Sequence, residues 1–120
     1  MMPPQRRLEV QLLHMRDAAQ NALTYTEGMA FDDFMREAMV REAVAMNLVI
    51  AGECANTVSQ KHPEFEAQYT GFALRQMRAM RNRIAHGYVD LDFAIVWDIV
   101  NNDLPSLIAQ LDAILGPPSR

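Results

Sequence analysis

Residues 81 to 88 read Arg-Asn-Arg-Ile-Ala-His-Gly-Tyr, and this octapeptide gathers the residue types that phosphodiester chemistry requires. Arg81 and Arg83 are permanent cations suited to bidentate contact with a phosphate, and His86 exchanges a proton near neutral pH. Asn82 supplies a neutral donor and acceptor, and Tyr88 supplies a phenolic hydroxyl. The octapeptide is therefore the first candidate for a functional site.

The apolar residues around the octapeptide recur at helical spacing and predict a helix from about residue 73 to residue 86. At 100° per residue, these apolar residues fall within about 60° of arc and form a core stripe. Asn82 and His86 lie together on the opposite side, whereas Arg81 lies about 140° round from His86. A regular helix does not bring Arg81 and His86 onto one phosphate, so their convergence requires fraying near Gly87 or a second subunit.

The charge of the chain is unevenly distributed around this helix. Residues 71–90 contain four Arg and one Asp, a local balance of +3 in a chain of net charge −4, so the remainder carries −7. A basic patch on an acidic protein suits a small site that engages a few phosphates. We expect four residues to contact such a substrate, namely Arg75, Arg78, Asn82 and Arg83. The alternative is that these arginines form a solvated helix face.

Helical periodicity continues outward in both directions from the octapeptide. Apolar spacing predicts further helices over about residues 5–27, 32–61 and 93–101, and from residue 104 to the Gly at 116. Residues 61–70, which include Pro63, form the only long stretch predicted to be irregular. No strand pattern competes with this interpretation. The sequence therefore predicts an all-α bundle of about five helices in a single domain, residues 1–120.

The composition of the chain bears on its cellular compartment and on whether it uses a metal or a cofactor. The single Cys54 cannot form an internal disulfide and fits a reducing compartment. The start of the chain lacks the pattern of a signal peptide, and the longest apolar run, residues 43–52, is too short to span a bilayer. No His or Cys set has metal-ligand spacing, and no Gly-rich phosphate loop is present. We expect a soluble cytoplasmic protein that uses no metal and no cofactor.

Features of the second predicted helix and of the motif helix bear on how helices or subunits pack together. Around residues 44–51 apolar residues surround most of the helix, which indicates either the centre of a bundle or a subunit contact. Glu53 is the charged exception. We expect it to form an ion pair or hydrogen bond with a neighbouring helix, with a catalytic role as the alternative. Ala79 and Ala85 on the outer side of the motif helix leave room for a close neighbour.

The run from residue 80 to residue 88 resembles the Arg-x-x-x-x-His-x-Tyr signature of the HEPN superfamily and, within it, of the HepT-like toxins. The likeness continues through residues 89–92, 95–97 and 104–105. Upstream, residues 50–55 look like the Gly-Glu segment of the second helix in that family. The resemblance implies a HEPN-like helical bundle.

The resemblance also implies a function. It implies a metal-independent endoribonuclease toxin of a type II toxin–antitoxin pair, acting on mRNA or tRNA, with Arg81 and His86 as catalytic residues. It further implies a minimal nucleotidyltransferase antitoxin that transfers AMP to Tyr88. In this family the motifs of two protomers line one cleft, so we expect a homodimer. The alternative is a non-catalytic HEPN subunit that binds nucleotide or RNA and pairs with a nucleotidyltransferase.

Overall fold

The computed structural model describes residues 2–118, which form α-helices joined by short turns, with no strand in this range. The predicted all-α HEPN-like bundle is therefore confirmed. In chain order the helices are α1 (Pro4–Tyr25), α2 (Phe31–Arg36), α3 (Ala38–Lys61), α4 (Pro63–Gln68), α5 (Leu74–Gly87), α6 (Phe93–Asp98) and α7 (Leu104–Leu115). A 3₁₀ turn, Tyr88–Asp90, follows α5, and a π-helical turn, Ile99–Asp103, joins α6 to α7.

Helix α3 is the central element of the bundle. It packs against α1 on one side and against α5 on another, and α7 packs on α1. Met15 of α1, Leu48 of α3 and Met77 of α5 are almost completely buried in the shared core. Burial of each such side chain contributes about 1.5–3 kcal/mol to folding. None of the helices in the described range combines the length and apolarity of a membrane-spanning segment.

The predicted second helix is broken at Glu37, which separates α2 from α3. Phe34 of α2 is fully buried, and its ring lies 5.0 Å from that of Trp97 between centroids. The guanidinium of Arg41 donates hydrogen bonds to the carbonyls of Phe34 and Met35, which lie at the end of α2. Apolar spacing predicts one continuous helix here. Burial of Phe34 and the hydrogen bonds from Arg41 instead stabilise a break at Glu37.

The segment after α3 also differs from its prediction. The end predicted for the preceding helix at residue 61 is confirmed, but residues 63–68 form α4, so their assignment as irregular is wrong. Pro63 occupies the first turn, where its missing N–H has no cost. Phe65 is buried, and its ring lies 4.7 Å from Tyr69 and 5.4 Å from Phe72 between centroids. This aromatic cluster stabilises a helix too short to form alone.

Candidate active site

Helix α5 crosses α3 at Gly52, where the two helices approach closely. A Cβ atom at residue 52 would lie 2.7 Å from the backbone oxygen of Met77 and would overlap the Cβ of Arg81. Because the Met77 oxygen belongs to the backbone, any larger residue requires α5 to move. The absence of a side chain at Gly52 therefore sets the position of Arg81 against α3.

The Arg81 guanidinium is held by two side chains. Its Nε donates to the carboxylate of Glu53, and its Nη1 donates to Oδ1 of Asn82 at 3.1 Å. The ion pair expected for Glu53 is confirmed, and its partner is the motif arginine. Within residues 2–118 Nη2 of Arg81 makes no hydrogen bond, and the side chain is 26% exposed. The guanidinium is thus oriented while its outer donors remain available to an anion.

His86 lies in different surroundings on the same helix. It is exposed, and its side chain has no hydrogen-bond partner among the described residues. Helix α5 extends through Gly87, so the fraying considered for this end does not occur. In a regular helix His86 lies about 140° round from Arg81. One chain alone therefore does not direct both side chains at one point.

The remaining arginines of α5 divide into two groups. Arg75 and Arg83 are exposed and have no carboxylate within 4 Å in the part of the chain that the structure describes. Arg78 is partly buried, donates to the hydroxyl of Ser59 and lies 3.5 Å from the carboxylate of Glu66. Arg78 thus joins α5 to α3 and α4, whereas Arg75 and Arg83 are open to solvent.

Tyr88 lies in the 3₁₀ turn directly after α5 and is exposed. Its ring packs edge-on against Phe93, with 6.0 Å between the centroids. Tyr88 also borders a cavity of about 320 Å³ between α3 and α5, together with Met46, Val49 and Ile84. The tyrosine is therefore accessible from solvent, beside a surface that is largely apolar.

The Cys54 thiol lies beside Glu53 on α3 and is a poor nucleophile. Burial, and secondly the neighbouring carboxylate of Glu53, raise the pKa of the Cys54 thiol above its ordinary value. The thiol is therefore protonated at neutral pH, a state in which it is a poor nucleophile. Between residues 2 and 118 no group of three or more His, Cys, Asp and Glu side chains is arranged to hold a metal ion.

Comparison with known proteins decides the family. The family model described as Ribonuclease HepT-like matches residues 15–114, which include α5 and its motif. The chain belongs to the HepT-like ribonuclease family. The family predicted from residues 80–88 is thus confirmed, and membership makes the protein a ribonuclease, an enzyme whose substrate is RNA.

Individual relatives agree with this HepT-like assignment. A protein of Methanocaldococcus jannaschii, named provisionally as an RNase, is 24% identical over 112 residues, covering 93% of this chain and 90% of the relative. "Probable ribonuclease HepT" of Thermococcus cleftensis is 27% identical over 90 residues, covering 75% of this chain and 79% of the relative. No solved structure was found to match the chain.

Proposed function

We propose that this HepT-like protein is a metal-independent endoribonuclease toxin that acts in the cytoplasm on mRNA or tRNA, with Arg81 and His86 as its catalytic residues. One observation carries the proposal. Arg81 is held by Glu53 and Asn82 while its Nη2 has no partner in the described range, and the exposed His86 follows on the same helix. An oriented cation can stabilise the charge on a phosphate and an accessible imidazole can move a proton, and RNA transesterification uses both effects.

RNA supplies its own nucleophile, so the reaction needs proton transfer and charge stabilisation. His86 takes the proton of the 2′-hydroxyl while the 2′ oxygen bonds to phosphorus and the bond from phosphorus to the 5′ oxygen breaks. The departing 5′ oxygen takes a proton from water, and the protonated His86 returns its proton to the resulting hydroxide, which leaves a 2′,3′-cyclic phosphate and a 5′-hydroxyl. Arg81 stabilises the charge on the non-bridging oxygens in the transition state.

Neighbouring residues of α5 bind the flanking RNA in this proposal. Arg75 and Arg83 are exposed and contact phosphates beside the scissile one. Asn82 keeps the Arg81 guanidinium in place through its Oδ1. Arg78 joins them only by exchanging its contact with Glu66 for a phosphate.

A symmetric homodimer completes the site. On α3, Met39, Met46 and Ile50 are 82%, 59% and 41% exposed, and spacings of seven and four residues place them on one face. An exposed apolar stripe of this kind is typical of a protein interface. A second copy can cover this stripe and approach Ala79 and Ala85. Two-fold symmetry then brings two motifs together, and no further sequence feature is needed. Sedimentation should report about twice the chain mass, and a fully active monomer would contradict the dimer.

Regulation by a nucleotidyltransferase antitoxin completes the proposal. The partner transfers AMP from ATP to the phenolic oxygen of Tyr88, forming an oxygen–phosphorus bond and releasing pyrophosphate. Two observations support an acceptor role, namely that Tyr88 is exposed and that it follows the motif helix directly. The added nucleotide is bulky and anionic, so it blocks a site that binds phosphates.

Intact-mass measurement tests this modification. After coexpression with a cognate nucleotidyltransferase, the protein should gain the mass of one or more AMP units. Tyr88→Phe should gain none, because it keeps the ring that packs on Phe93 but lacks the acceptor oxygen. An adduct that persists in Tyr88→Phe would assign the modification to another residue.

A cleavage assay tests the ribonuclease proposal. The purified protein should cut single-stranded RNA in the presence of excess chelator, and His86→Ala should lower the rate by about 10²–10⁴-fold, the usual contribution of a general base. His14→Ala, which removes another exposed histidine, serves as the control and should leave the rate unchanged. Activity that depends on added Mg²⁺ or Mn²⁺, or equal cleavage by His86→Ala, would contradict the mechanism.

The divergence of Arg81 and His86 within one chain favours a second candidate, a non-catalytic HEPN subunit that binds RNA or nucleotide beside a nucleotidyltransferase. Such a subunit would bind RNA through its arginines yet leave it intact. The same assay separates the two functions. Binding without cleavage, by a dimeric preparation, would select the second candidate.

A further inference from the structure

A second cationic site lies away from the motif, in a cavity of about 590 Å³ between the start of α1 and the end of α3. Its polar lining consists of Arg7, Gln11, Thr57, Lys61 and His62. None of its lining residues, all of which lie in the described range, is acidic. Such a concentration of positive charge is unexpected in a chain of net charge −4.

The two permanent cations of this cavity lack acidic partners. Neither Arg7 nor Lys61 has a carboxylate within 4 Å in residues 2–118. The adjacent Arg6, by contrast, pairs with Glu9 at 3.1 Å. Arg7 and Lys61 therefore present uncompensated charge to whatever enters the cavity.

His62 gives the cavity a buried polar wall. Its relative exposure is 5%, and its Nδ1 lies 3.7 Å from the carboxylate of Glu64, which is longer than a hydrogen bond. No other polar contact of its side chain is present within residues 2–118. The ring therefore has unused hydrogen-bonding capacity, and His62 is one of the residues that line the cavity.

The start of α1 adds to the attraction for anions. Pro4, the first residue of this 22-residue helix, lines the cavity. The helix has no side-chain cap and no acidic residue in its first turn. Its unpaired backbone N–H groups and the positive end of its dipole therefore favour a negatively charged group nearby.

Two further features of the cavity, its apolar lining residues and its position along α3, indicate which kind of anion it suits. Met2, Pro4 and Val10 are its apolar lining residues, so the cavity offers apolar contact beside its cations and suits a ligand that joins a phosphate to a planar base. Glu53, which holds Arg81, is followed at four-residue intervals by Thr57 and Lys61. Each interval advances about 6 Å along α3, so a short stretch of extended RNA can reach from one site to the other.

We propose that this cavity binds one nucleotide of the RNA substrate, a few nucleotides along the strand from the scissile phosphate. Arg7 and Lys61 hold its phosphate, His62 donates or accepts a hydrogen bond, and the base packs on the apolar wall. The inference rests on the proposed ribonuclease function and extends it. The enzyme then requires a single-stranded segment long enough to occupy both sites.

An RNA-binding titration tests the cavity. It uses His86→Ala protein to prevent cleavage and a labelled single-stranded RNA of a dozen nucleotides. Adding Arg7→Gln with Lys61→Gln should raise the Kd at least tenfold and should reduce the log–log salt slope by about 0.7, the value for one lost phosphate contact on a single strand. Both side chains are exposed, and a thermal melt should show the fold unchanged.

A matched control removes two charges elsewhere. Arg6→Gln with Arg36→Gln, which lie outside the cavity, should change the Kd less than twofold. A dinucleotide, long enough only for the motif, should bind the cavity variant and its parent equally. Equal loss of affinity in the control, or for the dinucleotide, would show general electrostatic attraction and would overturn the proposal.

Three further outcomes separate the cavity from the active site. If wild-type protein cleaves RNA but the cavity variant keeps full affinity, the cavity proposal fails and the ribonuclease proposal stands. The same holds if the cavity binds free AMP while RNA affinity is unaffected, because the site then serves a mononucleotide. If wild-type protein neither binds nor cleaves RNA, the proposed function fails and the cavity proposal fails with it.

Discussion

Arg81 and His86 belong to one helix, but their surroundings differ. Arg81 lies against α3, oriented by Glu53 and Asn82, and is 26% exposed. His86 is exposed and has no hydrogen-bond partner in residues 2–118. The fold of one chain therefore orients Arg81 but not His86, and in the proposed mechanism His86 takes its position from substrate or from a second subunit.

Among the changes to Arg81 and the residues that hold it, the largest effect should follow from removing the cation itself. Arg81→Ala should lower cleavage by about 10²–10³-fold, because it removes a donor that stabilises the charge of the transition state. Arg83→Ala removes an equal charge from the solvent side of α5 and should lower cleavage only a few-fold, through weaker RNA binding. Steady-state rates on one RNA substrate check both, and equal losses would show that orientation by α3 has no importance.

A second test displaces Arg81 relative to α3 without changing any charge. Gly52→Ala forces a Cβ against the backbone of Met77, and overpacking of this kind costs about 1–3 kcal/mol of the free energy of unfolding. We expect lower stability and lower cleavage together, because α5 must shift. Gly71→Ala is the control, since a Cβ there meets nothing within 4 Å. Denaturant unfolding measures both, and an unchanged midpoint for Gly52→Ala would contradict the close crossing.

A smaller effect should follow from weakening the orienting ion pair. Glu53→Gln keeps the shape of the side chain, and the pair it weakens is half exposed, so the loss of stability should be only about 0–1 kcal/mol. We expect kcat to fall several-fold while KM does not rise, because the site loses orientation and gains positive charge. Glu9→Gln, which weakens the exposed pair with Arg6, should change neither constant. A raised KM with unchanged kcat would instead place Glu53 in substrate binding.

The sequence predicts the helical architecture well, because burial of apolar residues at helical spacing is a local signal. The motif helix, predicted over residues 73–86, is observed at Leu74–Gly87. The break at Glu37 escapes this signal, since it depends on the burial of Phe34 and not on a local Gly or Pro. Local periodicity therefore gives the helices, and tertiary packing sets where two of them divide.

Prediction of the candidate site from sequence has the same limit. The motif and the expectation of an ion pair for Glu53 came from sequence, but its pairing with Arg81 and the steric role of Gly52 appear only when α3 and α5 cross. Only the resemblance of residues 50–55 to the family segment could have indicated them. The cavity that joins Arg7 to Lys61 had no sequence signal, because the two residues lie on different helices far apart in the chain.

The most direct test of the central claim, that Arg81 and His86 act together across two subunits, is cleavage by mixed dimers. Differently tagged Arg81→Ala and His86→Ala chains are coexpressed, and the mixed dimer is purified through both tags. Each parent dimer should be inactive, whereas the mixed dimer, with one intact composite site, should recover about half of the wild-type rate by two-fold symmetry. A mixed dimer as inactive as its parents would show that both residues must come from one chain, and would contradict the account.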